Sequence, residues 1–267
     1  MWKLLTLIAV TFSVSPALAA ATPWQDIAPG VKARLISSDR LDDGRTLAGL
    51  ELDMPAGTKT YWRIPGETGI PPQFDFSASS GVSDPVVQWP FPQIDRSQGY
   101  LDYVYREAIV LPVELGATGA GDVLDAAITL GICSDICVPA MVKFTLPLSF
   151  AAPDPVQSIR LEQAMAEVPI LWDQPGQPFS TVIAGLDGSL HLENPDPSID
   201  PSSVIADLGD PSILFEAPQK SPDGTLWTLK PLGGAATKGL EGSPVHLTFL
   251  TPRGPYAVSR VVAPSQP

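Results

Sequence analysis

Thirty prolines are distributed through this 267-residue chain, and they restrict its fold more than any other feature. Each one fixes φ and removes a backbone donor, which breaks a helix from within, whereas strand edges, bulges and turns accept it. Even with 22 glycines, the turn-forming content stays short of a low-complexity composition. A hydrophobic fraction of 44% against 17% charged residues is instead that of a globular chain. An all-α fold is disfavoured, and short strands separated by turns are expected. The formal net charge of −13 also disfavours a nucleic-acid binder, because phosphate contacts need clustered Lys and Arg. Acidic surface of this kind serves solubility.

Residues 1–19 carry one basic residue, Lys3, then an apolar stretch and the sequence Ala17-Leu18-Ala19. A basic start, a short apolar centre and an A-x-A site describe a secretory signal peptide, cut after Ala19. No later run approaches the roughly 18 apolar residues that a membrane span needs. The expected mature protein is exported, soluble and without direct membrane insertion.

Between residues 31 and 150 apolar and polar residues alternate in short runs. Leu50 and Leu52 fall on one face with Glu51 on the other. Residues 108–113 and 144–148 are β-rich, and each run includes a proline (Pro112, Pro147) that suits an edge or a bulge. A helix is expected from 154 to about 168. Asp154 stands at its N-cap, Pro155 at the first helical position and Gln157 at capping-box spacing. Ile159 and Ala166, one heptad apart with Val156, Gln163 and Ala164 near them, form its candidate buried face. Beyond Pro178 strands resume, with a hairpin over 181–193 turning on Asp187-Gly188. Further strands are expected at 212–216, 225–230, 245–250 and 257–262. The fold class read from this pattern is all-β: two antiparallel β-sandwich modules joined by a short helix. Their boundaries fall at 20–151 and 171–267, with the linker helix in 152–170.

The chain has two cysteines, Cys133 and Cys137, within Gly131-Ile132-Cys133-Ser134-Asp135-Ile136-Cys137-Val138-Pro139. Along a straight strand residues four apart lie about 13 Å from each other, whereas a disulfide needs Cα atoms within about 7 Å. The segment must bend if they bond. A hairpin achieves this, with 127–133 rising, Ser134-Asp135-Ile136 turning and 137–148 returning, so that the cysteines face each other across its mouth. An oxidising compartment favours a structural bond. Against that, closing a loop of five residues contributes only about 2 kcal/mol, and closely spaced thiols at a loop tip are open to exchange. The nearest charge, Asp135, would raise a thiol pKa, and no Lys, Arg or His lies closer in sequence than Lys143. Any activation must come from elsewhere in the fold.

The stretch 130–139 resembles the active-site hairpin of the N-terminal periplasmic domain of DsbD-type thiol:disulfide interchange proteins. It is nearest to the variant in the suppressor-of-copper-sensitivity (ScsB) reductases. Other segments are similar in the same order: Lys59-Thr60-Tyr61-Trp62-Arg63, Gly69-Ile70-Pro71-Pro72, Trp89-Pro90-Phe91-Pro92, Tyr105 with 110–113, and Ala217-Pro218-Gln219-Lys220. The resemblance implies immunoglobulin-like modules and a periplasmic reductant relay through a C-x3-C pair. Cys137 would be the exchanging thiol, Cys133 its resolving partner, and a covering loop would fall at about 91–100. The implied partners are a membrane-embedded thiol-disulfide reductase and thioredoxin-like periplasmic proteins. With no span and no C-x-x-C motif in the chain, the electron donor is expected to be a separate protein. If active, the protein would be a protein-disulfide reductase.

Two readings of other classes stay open: a non-catalytic interaction module whose disulfide fixes a hairpin, and a periplasmic copper-binding protein, since thiolates suit Cu(I). His191 and His246 lie on strand-like segments without paired ligand spacing, so no metal or cofactor is assigned. Tyr61, Trp62 and Trp89 suit either a partner-facing patch or an aromatic core. Glu67, Asp95 and Glu107 show no paired-carboxylate pattern.

Overall fold

The computed structural model describes residues 20–40, 44–117, 121–148, 154–173, 178–234 and 239–264. The expected signal peptide lies outside the described residues. The strands are β1 (Gln25–Ala28), β2 (Val31–Arg40), β3 (Arg45–Asp53), β4 (Lys59–Gly66), β5 (Gln73–Asp75), β6 (Val82–Val87), β7 (Gln93–Asp95), β8 (Asp102–Arg106), β9 (Ile109–Ala117), β10 (Val123–Cys133) and β11 (Cys137–Pro147). Helix α1 (Pro155–Ala166) follows, then β12 (Ile170–Leu171), β13 (Val182–Ala184), β14 (Leu190–Glu193), β15 (Ile205–Asp207), β16 (Gln219–Lys220), β17 (Leu226–Leu229), β18 (Pro244–Thr251) and β19 (Gly254–Ala263). The all-β class, with immunoglobulin-like sandwiches joined by a short helix, is the observed one.

One layer of the first sandwich runs β1-β2-β3-β9-β6, and the facing layer runs β11-β10-β4-β8-β7, with β5 added to β10. Period-2 alternation builds the core between them. Leu50 and Leu52 of β3, Leu111 and Val113 of β9, and Leu124, Ala126, Ile128, Leu130 and Ile132 of β10 all point inward and are buried. The proline rule held for β11, a sheet edge, but not for β9, which lies between β3 and β6. Pro112 is tolerated there because the ladder to β6 stops beside it. β6 ends at Val87, and Gln88 N–H donates to the Pro112 carbonyl without requiring a donor in return.

The second sandwich is a path in the order β15-β18-β19-β13-β14-β17-β16. Strand β19 pairs antiparallel with β18 and, at Val262 and Ala263, parallel with β13, so it passes from one layer to the other. Phe179, Trp227 and Phe249 sit at the centre of its core. The 181–193 hairpin turns on Leu186-Asp187-Gly188 rather than on Asp187-Gly188 alone. Gly185 and Ser189 close the loop, and Gly188 takes the left-handed conformation at φ 81° that this turn requires. The sandwiches touch: Arg63 on β4 pairs with Asp207 on β15 at 3.1 Å, and Ile205 and Leu214 are buried in the first core.

Helix α1 begins where its signals place it, with Asp154 Oδ1 accepting from the Val156 and Gln157 amides. Its capping box is only half made, because Gln157 Oε1 has no hydrogen-bond partner among the described residues. The expected buried face is also displaced. Val156 and Ile159 are 54% and 53% exposed, whereas Leu161 is fully buried. Leu161 fills the space above Gly49 of β3, where an added Cβ would lie 2.7 Å from Leu161 Cδ2. Docking on that glycine selected the face; the helix's own periodicity was too weak to do so. Leu161→Ala should therefore lower stability by about 3 kcal/mol, as for other buried leucines. Urea denaturation measures this, and Ile159→Ala should change the midpoint little.

Candidate functional site

Strands β10 and β11 pair without interruption from Val123↔Pro147 to Cys133↔Cys137. The cysteines thus occupy the last pair before the Ser134-Asp135-Ile136 turn, with Cα atoms 4.0 Å apart and a disulfide between them. This is the hairpin expected from the spacing. Ser134 N–H donates to the Ile136 carbonyl across the turn at 3.3 Å, and the Ser134 hydroxyl contacts that of Thr58 at 2.9 Å.

The alternation that puts the even-numbered residues of β10 in the core places Cys133 on the opposite, outward face. An outward residue near a strand end would ordinarily be wet, yet Cys133 is 1% exposed. A second, smaller layer covers it. Tyr61 of β4 and Val104 of β8 lie on the same outward face and form a buried cluster with Cys133. Over that cluster passes the segment after β4. A Cβ on Gly69 would lie 2.4 Å from Tyr61 Cδ1, and one on Gly131 would lie 2.8 Å from Ile70 Cβ. Cys137, by contrast, is exposed, as are its neighbours Ile136 at 74% and Val138 at 40%. One bond thus joins a covered sulfur to an open one.

The Tyr61 hydroxyl stands 2.9 Å from Cys133 Sγ and 3.4 Å from Cys137 Sγ. Since neither sulfur of a disulfide carries hydrogen, the phenol is the donor. Beside it Lys59, whose Cα pairs with that of Cys133, holds its ammonium 5.7 Å from the Tyr61 ring centre. The same ammonium donates to Asp95 at 3.1 Å and Asp102 at 3.0 Å. Asp102 also accepts from the Thr68 amide and hydroxyl, and Arg106 pairs with Asp95. Two cations and two carboxylates thus balance in a largely covered site, as buried charge requires.

Burial works to lower the Lys59 ammonium, but its hydrogen bonds to Asp102 and Asp95 raise it above the ordinary value. Burial pushes the Tyr61 phenol up, and the Lys59 charge offsets this only in part, so the hydroxyl keeps its proton. Burial alone would raise the Asp95 carboxyl. Hydrogen bonds from Ser97 and Lys59 outweigh it and hold Asp95 at about 2.

Sequence reasoning found both cysteines and their turn but placed no cation near them. The cation comes from β4 across the sheet, seventy-odd positions away. Tyr61 and Trp62, left between core and partner patch, are both fully buried. They part company on opposite faces of β4: Trp62 enters the main core, and Tyr61 covers the disulfide. Segment 91–100, where the resemblance puts a covering loop, supplies Asp95 to this site. The histidines lie apart from it, His191 bonded to Ser189 and Thr228 and His246 to Ser259. Among the described residues no group of three or more His, Cys, Asp or Glu could hold a metal ion.

Residues 26–149 match the family model described as the N-terminal domain of thiol:disulfide interchange protein DsbD. The first sandwich belongs to that family. The whole chain also resembles a solved structure, the N-terminal periplasmic domain of ScsB from Proteus mirabilis, with a TM-score of 0.68. That match has 24% identity and covers 92% of this chain and 99% of the other, which extends the shared fold through the second sandwich. No curated protein matches the sequence. Among the described residues no helix is long and apolar enough to cross a membrane.

Two outcomes follow from the site of the DsbD-type domain. Gly69→Ala should lift the 69–70 segment from Tyr61, so that iodoacetamide alkylates Cys133 of the reduced protein faster than in the wild type. An unchanged rate would show that this segment does not limit access. The depressed Asp95 carboxyl contributes stability that is fully present above its ordinary pKa of 3.8 and is lost as the pH falls through about 2. Urea midpoints at pH 5 and pH 2.5 should therefore differ less in Asp95→Asn than in the wild type.

Proposed function

We propose that the Cys133–Cys137 pair performs thiol-disulfide exchange, with Cys137 the exchanging thiol and Cys133 the resolving one. The observation that carries this reading is the asymmetry of the bond: Cys137 is exposed at a hairpin tip, while Cys133 is 1% exposed beneath Tyr61. A partner's thiolate, approaching in line with the S–S bond, reaches only the Cys137 sulfur. Attack there forms a mixed disulfide through Cys137 and releases Cys133 as a thiolate. A second partner thiol, or Cys133 itself in the reverse sense, then resolves it. Membership of the first sandwich in the DsbD N-terminal family supports the chemistry.

In the fuller form of this proposal the protein works in the periplasm as a reductant relay. It takes electrons from a membrane-embedded thiol-disulfide reductase and passes them to thioredoxin-like or client proteins. The exposed apolar side chains of Ile136 and Val138 beside Cys137 suit a surface that meets a partner protein transiently. The competing reading is a structural staple, and the burial of Cys133 favours it. Its weakness is energetic, because a bond closing five residues at the end of a fully paired hairpin contributes only about 2 kcal/mol.

The deciding measurement is the reduction potential, from equilibration in glutathione or dithiothreitol buffers with alkylation and mass readout. The relay predicts a value between about −180 and −270 mV, among known exchange proteins. A value below about −300 mV with inaccessible thiols would establish a staple instead. Independently, Cys133→Ser should accumulate a mixed disulfide with a thioredoxin-like partner through Cys137, and Cys137→Ser should not.

A further inference from the structure

The geometry points to Tyr61 as a catalytic residue of the exchange, its hydroxyl donating to Cys133 Sγ as that sulfur leaves with the electron pair of the broken disulfide. This rests on the reading above in one respect, that Cys137 is the sulfur attacked. The balance is simple. The incoming thiolate forms a bond to Cys137 Sγ, the Cys133–Cys137 bond breaks, and the negative charge brought by the attacker ends on Cys133 Sγ. No proton is transferred, and no further oxidant or reductant is needed.

That charge appears in an unfavourable place. Cys133 is covered by the Tyr61 ring and Val104, and a thiolate in apolar surroundings is costly. A poorly stabilised thiolate is also a slow leaving group. Lys59 is the cation in register with Cys133, but its ammonium is engaged by Asp95 and Asp102. The Tyr61 hydroxyl, 2.9 Å from Cys133 Sγ and closer to it than to Cys137 Sγ, is already aimed at the atom where charge develops.

The ground state of the Tyr61 hydroxyl strengthens the assignment. A disulfide sulfur is a weak acceptor. Before attack the Tyr61 hydroxyl therefore makes only weak bonds to the two sulfurs. Once Cys133 is a thiolate, the charged sulfur is much the stronger acceptor. The donor strengthens its bond in the transition state rather than in the ground state, which is the condition for accelerating a step. The raised phenol pKa keeps that proton in place.

The test is Tyr61→Phe, which keeps the ring over Cys133 and removes only the hydroxyl. Reduction of the disulfide by dithiothreitol, followed by quenched alkylation, should slow by about tenfold, the scale of a lost hydrogen bond to a charged group. In a Cys137→Ser background, the ultraviolet titration of the Cys133 thiolate should move to higher pH when Tyr61→Phe is added. A rate and a titration both unchanged, in a variant with wild-type circular dichroism, would overturn the assignment. Should Tyr61→Phe fail to fold, the Cys137→Ser protein alone still decides. Its Cys133 should ionise at or below about 8.5 despite burial, and a midpoint well above that value would overturn the assignment. Trapping with a protein partner is a separate readout. A protein that shows the Tyr61 effect with dithiothreitol yet captures no thioredoxin-like partner would refute the relay and leave the role of Tyr61 standing.

Discussion

The structure around the disulfide depends on the strict two-residue alternation of β10. Because Leu124 through Ile132 supply the core on the even positions, Cys133 must face outward, and nothing in the main core can cover it. Its burial therefore requires a second layer on the outside of the sheet, made of Tyr61, Val104 and the segment that includes Gly69 and Ile70. A shift of one residue in the β10–β11 register would exchange the two faces and place the sulfurs in the core. The long unbroken pairing from Val123↔Pro147 onward prevents that shift and fixes the disulfide at the mouth of the hairpin.

This arrangement explains why the two sulfurs differ. The turn carries Cys137 past the edge of the cover, while Cys133 stays one strand further in, against β4. A symmetric, fully exposed disulfide would be open to attack at either sulfur. A fully buried one would be closed to partners. Here the fold offers one sulfur and shelters the other beside a hydroxyl donor and a balanced group of charges. That combination suits directed exchange better than a simple staple.

The charges around Lys59 show how such a site is kept stable. The ammonium, the Asp95 and Asp102 carboxylates and Arg106 lie close to apolar surroundings, where any one of them left alone would be costly. Together they cancel, and Thr68 and Ser97 fill the remaining acceptor positions. The second sandwich is tied to the same strand, since Arg63, two residues beyond Tyr61, pairs with Asp207.

Local patterns were legible in the sequence. The proline distribution pointed to an all-β fold, and Asp154-Pro155 marked the start of the helix. Alternation located β3, β9, β10, β11, β13, β14 and β17 to β19, whereas the strand expected at 212–216 is only an isolated bridge at Phe215. The C-x3-C spacing required a bend, and flanking β-runs made that bend a hairpin. These features depend on neighbours a few residues apart, which is the range over which sequence patterns carry information. Long-range pairing was not legible. Which face of α1 docks was decided by Gly49, more than a hundred positions away, and the placement of Pro112 by where β6 stops. Above all, strand order brought Lys59, Tyr61, Asp95 and Asp102 to the cysteines. None of these residues has a local signature of that role, because an outward face is covered or open only according to what the rest of the chain lays over it.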